Sequence, residues 1–381
     1  MPERAEFPQS AVAQLLGSNG PIHAVSYSAS PGTYILTGSS DRSIRLYNPL
    51  PPTPSPASSH ITRPAASALP ALPAGRLIQT YAAHGYEVLS LAVAADNARF
   101  ASAGGDRAVF LWDVATAQTT RRFGGSQHGH TGRVNCVAFG GADDSLVVSG
   151  GLDTTVRVWD ARAGGGKPVQ VLGEARDAVS AVVVAGAEIV AGSVDGRVRS
   201  YDVRMGRATT DVLGASVTSL CLARDAKTVL VGSLDSKVRL MDRANGACLK
   251  AYADAGWRNE ELRVQSVLGG KERFVVAGDE MTSPAPAAGS GDSVEVPATP
   301  SGVANEGRVW AWDLLTGKLV ARLSVPWGAG GSESRKRVVG RDGKEKERKN
   351  VVSCIAWKEG GFGNQFCVGG TSGAVTVFGK G

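Results

Sequence analysis

The run GGLDTTVRVWD at residues 150–160 returns as GSVDGRVRSYD at 192–202 and again as GSLDSKVRLMD at 232–242. A chain that repeats one phrase at near-constant intervals is built from repeated supersecondary units. Aligning the aspartate before each final strand gives Asp41, Asp106, Asp153, Asp195 and Asp235, and six residues after each stands a bulky side chain: Tyr47, Trp112, Trp159, Tyr201 or Met241. Two weaker copies follow, EGRVWAWD ending in Trp312–Asp313 and TSGAVTVFG ending in Phe378, which makes seven. Within a unit the pattern is short alternating strands parted by Gly, Asp and Ser turns. The third unit reads RVNCVAF, SLVVSG, TVRVWD and VQVL, a four-stranded antiparallel meander. One such sheet cannot bury both of its faces, whereas copies stacked around an axis bury them all.

A period of about 40–45 residues ending in Trp-Asp is the signature of WD40 propeller blades. The spacing therefore predicts an all-β, seven-bladed WD40 β-propeller of four-stranded antiparallel blades, filling 1–381 as a single domain. The blades fall near 20–50, 76–123, 130–172, 175–213, 214–252, 258–323 and 350–381. The chain ends on AVTVFGKG, which supplies only a third strand, so SAVAQLL at 10–16 is expected to close the last blade as its outer strand and remove the open edge. Three steps between units are long. They hold 49–75, 280–306 and 328–350, which are rich in Pro, Gly and Ser or in charge, lack strand alternation and are expected to be disordered.

Blades two and three repeat a polar set at matching phase: His84, Ser102, Asp106 and Trp112, then His130, Ser149, Asp153 and Trp159. These types resemble the structural tetrad of WD40 proteins. A Ser-His-Asp trio also suggests a nucleophilic triad, but a hydrolase needs one site rather than the same trio in two blades, and a satisfied hydrogen-bond network is the preferred reading. Four residues before the aspartate the other blades have Thr37, Ala191 and Val231, so they are expected to lack the network and to be softer. There is no phosphate-binding loop and no HExxH. HGH at 128–130 has no third ligand, so neither metal, cofactor nor catalytic residue is assigned and the chain is read as no enzyme.

Charge and cysteines add limits. Of the net charge of +6, residues 331–350 carry +4, which leaves no basic footprint for sequence-specific nucleic-acid binding. No apolar run approaches the length of a membrane span. Cys136, Cys221, Cys248, Cys354 and Cys367 form no CxxC pair and read as buried, reduced thiols of a cytoplasmic or nuclear protein.

Partner contacts are expected where the first strand of each blade begins. In GRVNCV, Val134 points between blades, so alternation turns Arg133 and Asn135 toward the ring opening. Glu87 and Leu89 around Val88, Arg263 and Gln265 around Val264, and His23 after Ile22 occupy equivalent places. An alternative surface is VRVWDAR at 156–162, where Trp159, Asp160 and Arg162 resemble the WDxR box of propellers that dock on cullin-4 ubiquitin-ligase adaptors as substrate receptors.

HGYEVL at 84–89, AGSVDGRVR at 191–199 and YDVRMG at 201–206 go beyond the generic repeat. With the surrounding 84–118, 174–206 and 231–246, they resemble the mitogen-activated protein kinase organiser family of WD-repeat proteins. The resemblance covers roughly 20–48, 76–270 and 306–378 and stops at the three insertions. It implies a non-enzymatic scaffold, monomeric within larger assemblies, whose protein partners are components of the MAP kinase cascade or of the spliceosome. It does not choose between those roles. Thr53-Pro54, Ser55-Pro56, Ser283-Pro284 and Thr299-Pro300 are minimal proline-directed phosphorylation sites, and SRKR at 334–337 is a candidate nuclear signal.

Overall fold

A computed structural model describes residues 6–50, 72–125, 127–281, 306–328, 338–339, 345–346, 349–358 and 364–380. Seven four-stranded antiparallel sheets form a closed ring. Blade three, built as the sequence predicts, comprises Val134–Gly140, Leu146–Gly151, Val156–Asp160 and Gln170–Leu172. The first strands of the others are Ile22–Tyr27, Val88–Val93, Val179–Ala185, Val217–Leu222, Ser266–Gly269 and Val352–Trp357, and they line the axis. In blade seven the order from inside out is Val352–Trp357, Phe366–Gly370, Val375–Gly379 and finally Ser10–Leu15. The N-terminal strand pairs with the C-terminal one from Ser10 opposite Gly379 to Leu15 opposite Val375. It also clasps blade one: the Gln14 N–H donates to the Pro73 carbonyl, and the Gln14 carbonyl accepts the Gly75 N–H.

The hydrophobic core is seven clusters, each shared by two consecutive blades. This explains the repeated phrase. The bulky residue that closes each third strand is packed back onto the preceding blade: Tyr47 on blade seven, Trp112 on one, Trp159 on two, Tyr201 on three, Met241 on four, Trp312 on five and Phe378 on six. Each such side chain contributes roughly 1.5–3 kcal/mol on burial. The glycine that opens the phrase has a steric cause. A Cβ at Gly150 would lie 2.5 Å from Val179 Cγ1, and one at Gly192 would lie 2.5 Å from Val217 Cγ1. The first strand of the next blade can approach only where there is no side chain.

Three sequence expectations need correction. Arg76–Ala82 is the outer strand of blade one, not the start of blade two, so residues 49–75 interrupt a blade rather than separate two. The insertions are narrower than expected: Glu280 and Met281 are buried, and Val338–Val339 pairs antiparallel with Glu345–Lys346. The four Ser/Thr-Pro sites, SRKR and most of the insertions lie outside the described residues. Of the cysteines, Cys136, Cys354 and Cys367 are buried, but Cys221 is half-buried and Cys248 exposed, because Cys248 sits on an outermost strand with one face to water.

Candidate functional site

Both tetrads assemble. His84 Nδ1 lies 2.5 Å from Asp106 Oδ2, His84 Nε2 lies 2.7 Å from Ser102 Oγ, and Trp112 Nε1 donates to that Oγ at 2.8 Å. In blade three the corresponding distances for His130, Asp153, Ser149 and Trp159 are all 2.8 Å. A chain of donors fits one arrangement: indole N–H to the serine oxygen, serine O–H to Nε2, Nδ1–H to the carboxylate. Burial foremost lowers the His84 pKa, against the pull of Asp106. Ser102 and Ser149 are fully buried, so neither hydroxyl meets a substrate.

Blades one, four and five lack that His and Trp set, as expected, but carry another network on the same aspartate. Each meets the same aspartate with an arginine four residues downstream and a serine two residues upstream. Arg45 Nη2 lies 2.8 Å from Asp41 and Arg199 Nη2 lies 2.6 Å from Asp195, while Arg239 pairs with Asp235. Ser39, Ser193 and Ser233 each donate to their aspartate. Burial alone would raise the Asp41 and Asp195 pKa values, but these donors hold both at about 2. The signal was in the sequence: the phrase has Arg at the fourth position after Asp in blades one, four and five, and Phe110 there in blade two. Blade six differs again. Trp310 Nε1 donates to the fully buried Asp279 at 2.8 Å, and Glu280 accepts the N–H groups of Glu261 and Leu262.

The rim residues divide. Each first strand except that of blade six carries a register shift after its first residue, which leaves His23, Leu89, Asn135, Ser180, Thr218 and Ser353 as extra residues. Such a bulge breaks simple alternation, so Arg133 and Asn135 do not share a face as expected. Arg133 is exposed, but Asn135 is buried and its amide donates to the Val179 carbonyl of blade four at 2.9 Å. Gln265 likewise ties blade six to blade seven, its side-chain oxygen accepting the Ile355 N–H at 3.1 Å. Arg263 reaches furthest. Its Nη1 donates at 2.8 Å to the Asn135 carbonyl of blade three and its Nε at 3.3 Å to the Thr218 carbonyl of blade five. Burial lowers its pKa, and Arg133 acts in the same direction. On blade one, half-buried His23 lies 2.7 Å from Ser40 Oγ; burial lowers its pKa, Glu87 raises it and Arg263 lowers it. Glu87 and Leu89 are half-buried. The mouth of the central channel thus gathers His23, Glu87, Arg133 and Arg263.

Around this mouth stand apolar side chains that the sequence reading missed. Tyr86 precedes the first strand of blade two and Leu262 precedes Arg263. Leu152, Val194 and Leu234 follow the second strands of blades three, four and five, each bonded through its N–H to the residue leading into its own first strand. Tyr86 is 64 % exposed and Leu152 48 %. At the other end of the ring a cavity of about 400 Å³ lies between blades one and two, lined by Pro31, Tyr34, Leu36, Ile78 and Val114 among others. The alternative docking box is split: Trp159 is buried in its tetrad, Asp160 accepts the N–H groups of Arg162 and Ala163, and Arg162 alone projects into solvent. Among the described residues no three His, Cys, Asp or Glu side chains come together as a metal site.

The WD domain, G-beta repeat model matches residues 9–48, 75–113 and 121–160. The chain is 37% identical over 324 residues to WD repeat domain-containing protein 83 of Rattus norvegicus, covering 85% of each chain. It is 37% identical to the Homo sapiens protein of that name, covering 86% of each. The Dictyostelium discoideum homologue is 26% identical over 81% of this chain and 87% of its own.

Proposed function

Since the chain belongs to the WD repeat domain-containing protein 83 family, we propose that it is a non-enzymatic scaffold that binds proteins of the MAP kinase cascade, of the spliceosome, or of both, in cytoplasm and nucleus. The observation that carries this reading is where the family-marking words place their side chains. The generic part of each word is spent on the blade: Val88 and Val198 are buried in inter-blade clusters. The surplus is on the surface, with Tyr86 of HGYEVL 64 % and Met205 of YDVRMG 62 % exposed. Large apolar side chains that the fold does not need and leaves in water favour a binding role. They stand at opposite ends of the ring, which suits a protein that holds two partners at once.

Affinity purification of the full chain followed by mass spectrometry tests the reading. Recovery of kinase-cascade or spliceosomal proteins, reduced by Tyr86→Ala or Met205→Ala at unchanged expression, is the expected outcome. Recovery of neither class, or recovery indifferent to both substitutions, overturns it. The substrate-receptor alternative predicts a cullin-4 adaptor in the recovered set, lost in Arg162→Glu.

A further inference from the structure

Arg263 makes no ion pair among the described residues. Its half-buried guanidinium lies at the channel mouth, bridges to blades three and five, and bonds two main-chain carbonyls. The side chains that act on it are the thiols of Cys136 and Cys354 and the like charge of Arg133. Burial pushes those thiols up, to about 11 and about 12, so they are neutral. Taking a cation even partly out of water is costly, and hydrogen bonds to carbonyls offset that less fully than a close opposite charge does. Elsewhere at this end of the ring the chain meets that requirement: Asp41, Asp153, Asp195 and Asp235 have arginine partners, and Arg258 pairs with Glu260 at 2.7 Å. Glu87 acts on His23 of the neighbouring blade. Arg133, exposed beside Arg263 and with its side chain in no hydrogen bond or ion pair among the described residues, adds a second positive charge at the same place.

We propose that the channel mouth receives an acidic segment of a partner protein, one carboxylate descending between Arg133 and Arg263 while neighbouring apolar side chains settle on Tyr86, Leu152, Val194 and Leu262. The proposal rests on the scaffold reading above and names the chemistry of one partner. Charge selects the occupant. The rim offers apolar area on blades two to six, and the opening between them holds two arginines that no carboxylate pairs with among the described residues. A carboxylate there gains charge-assisted hydrogen bonds, which strengthen as the apolar side chains of the bound segment exclude water from the mouth. A basic or neutral segment would leave Arg263 as unpaired as before.

The test uses the full chain and a random short-peptide display library. Selected peptides should be enriched in Asp or Glu next to Leu, Ile or Phe. Their affinity for Arg133→Gln should fall at least about tenfold, and Gln-for-Glu versions should lose binding to the wild type. The Arg133 side chain makes no hydrogen bond or ion pair among the described residues, so this variant should keep the ring intact; Arg263→Lys, which retains charge but not the bridging fork, should weaken binding while leaving the circular dichroism unchanged. Arg162→Gln, at the opposite end, should bind as the wild type does. Selected peptides without acidic enrichment, no selected peptides, or equal affinity for wild type and Arg133→Gln overturns the proposal. If that happens while purification still recovers the expected protein classes, the scaffold reading stands and only the acidic docking fails; if neither works, both fall.

Discussion

Replacing Arg199 by Met isolates the second way this chain satisfies its blade aspartate. Arg199 is 3 % exposed. Its Nη1 donates to Ser193 Oγ at 2.8 Å and its Nη2 to Asp195 Oδ2 at 2.6 Å. Met keeps the aliphatic stem packed and removes the charge and both donors. Burial would raise the Asp195 pKa, Arg199 is the strongest influence lowering it, and the sum is about 2. A carboxyl held there against an ordinary value near 4 contributes ~2.5 kcal/mol at neutral pH. Ser193 and the Arg176 N–H hold part of that shift, so Arg199→Met should cost about 2 kcal/mol. The sign sets the pH dependence. A depressed carboxyl stabilises above its unfolded pKa and loses that contribution as pH falls through its folded one. The difference between wild type and variant should therefore be full at pH 7, near half at about pH 3, and gone below about pH 2. Urea midpoints measured across this range provide the assay. A loss under about 0.5 kcal/mol at pH 7, or one that does not shrink on acidification, refutes the reasoning.

Other outcomes follow from single contacts. Gly192→Ala places a Cβ against Val217 and should cost roughly 1–3 kcal/mol, whereas Gly173→Ala, with nothing within 4 Å, should be nearly silent; equal urea midpoints for the two would contradict the close-approach argument. Asp153→Ala strips partners from His130, Thr155 and Arg157 and should cost roughly 1–3 kcal/mol. Thr37→Val should be neutral or stabilising, because the buried Thr37 hydroxyl has no hydrogen-bond partner among the described residues; a clear drop in its thermal midpoint would reveal a partner. Deleting residues 1–17 removes the closing strand together with Phe7, which packs on Phe274 and Phe366 at ring-centroid distances of 5.2 and 5.5 Å. That truncation should lower the midpoint of the whole ring, and an unchanged midpoint would count against closure by this strand.

The fold was legible because its determinants are local and periodic. The glycine, the aspartate and the bulky residue recur at constant offsets, since every blade must accept the next one, turn and pack back on the last. The rim was less legible, and the reason is a single residue. Alternation assumes one register through a strand, yet the first strand of blade three slips after Val134, and the slip turns Asn135 into an inter-blade tie while Arg133 stays outside. No short-range pattern marks that slip, because the pairing that defines it lies across the sheet at Gly150 and Gly151. The arginine networks were missed for the opposite reason. Their signal was local and plain, Ser at two before and Arg at four after each Asp, but the search for a His-Trp pair read their absence as softness. The requirement is a hydrogen-bond donor for a largely buried carboxylate, and the imidazole N–H and the guanidinium both meet it. Blade three uses the two together: Asp153 binds His130 at 2.8 Å and lies 3.4 Å from Arg157. With the sign reversed, the guanidinium of Arg263, bonded to two carbonyls and in no ion pair among the described residues, is what carries the acidic docking proposed at the channel mouth.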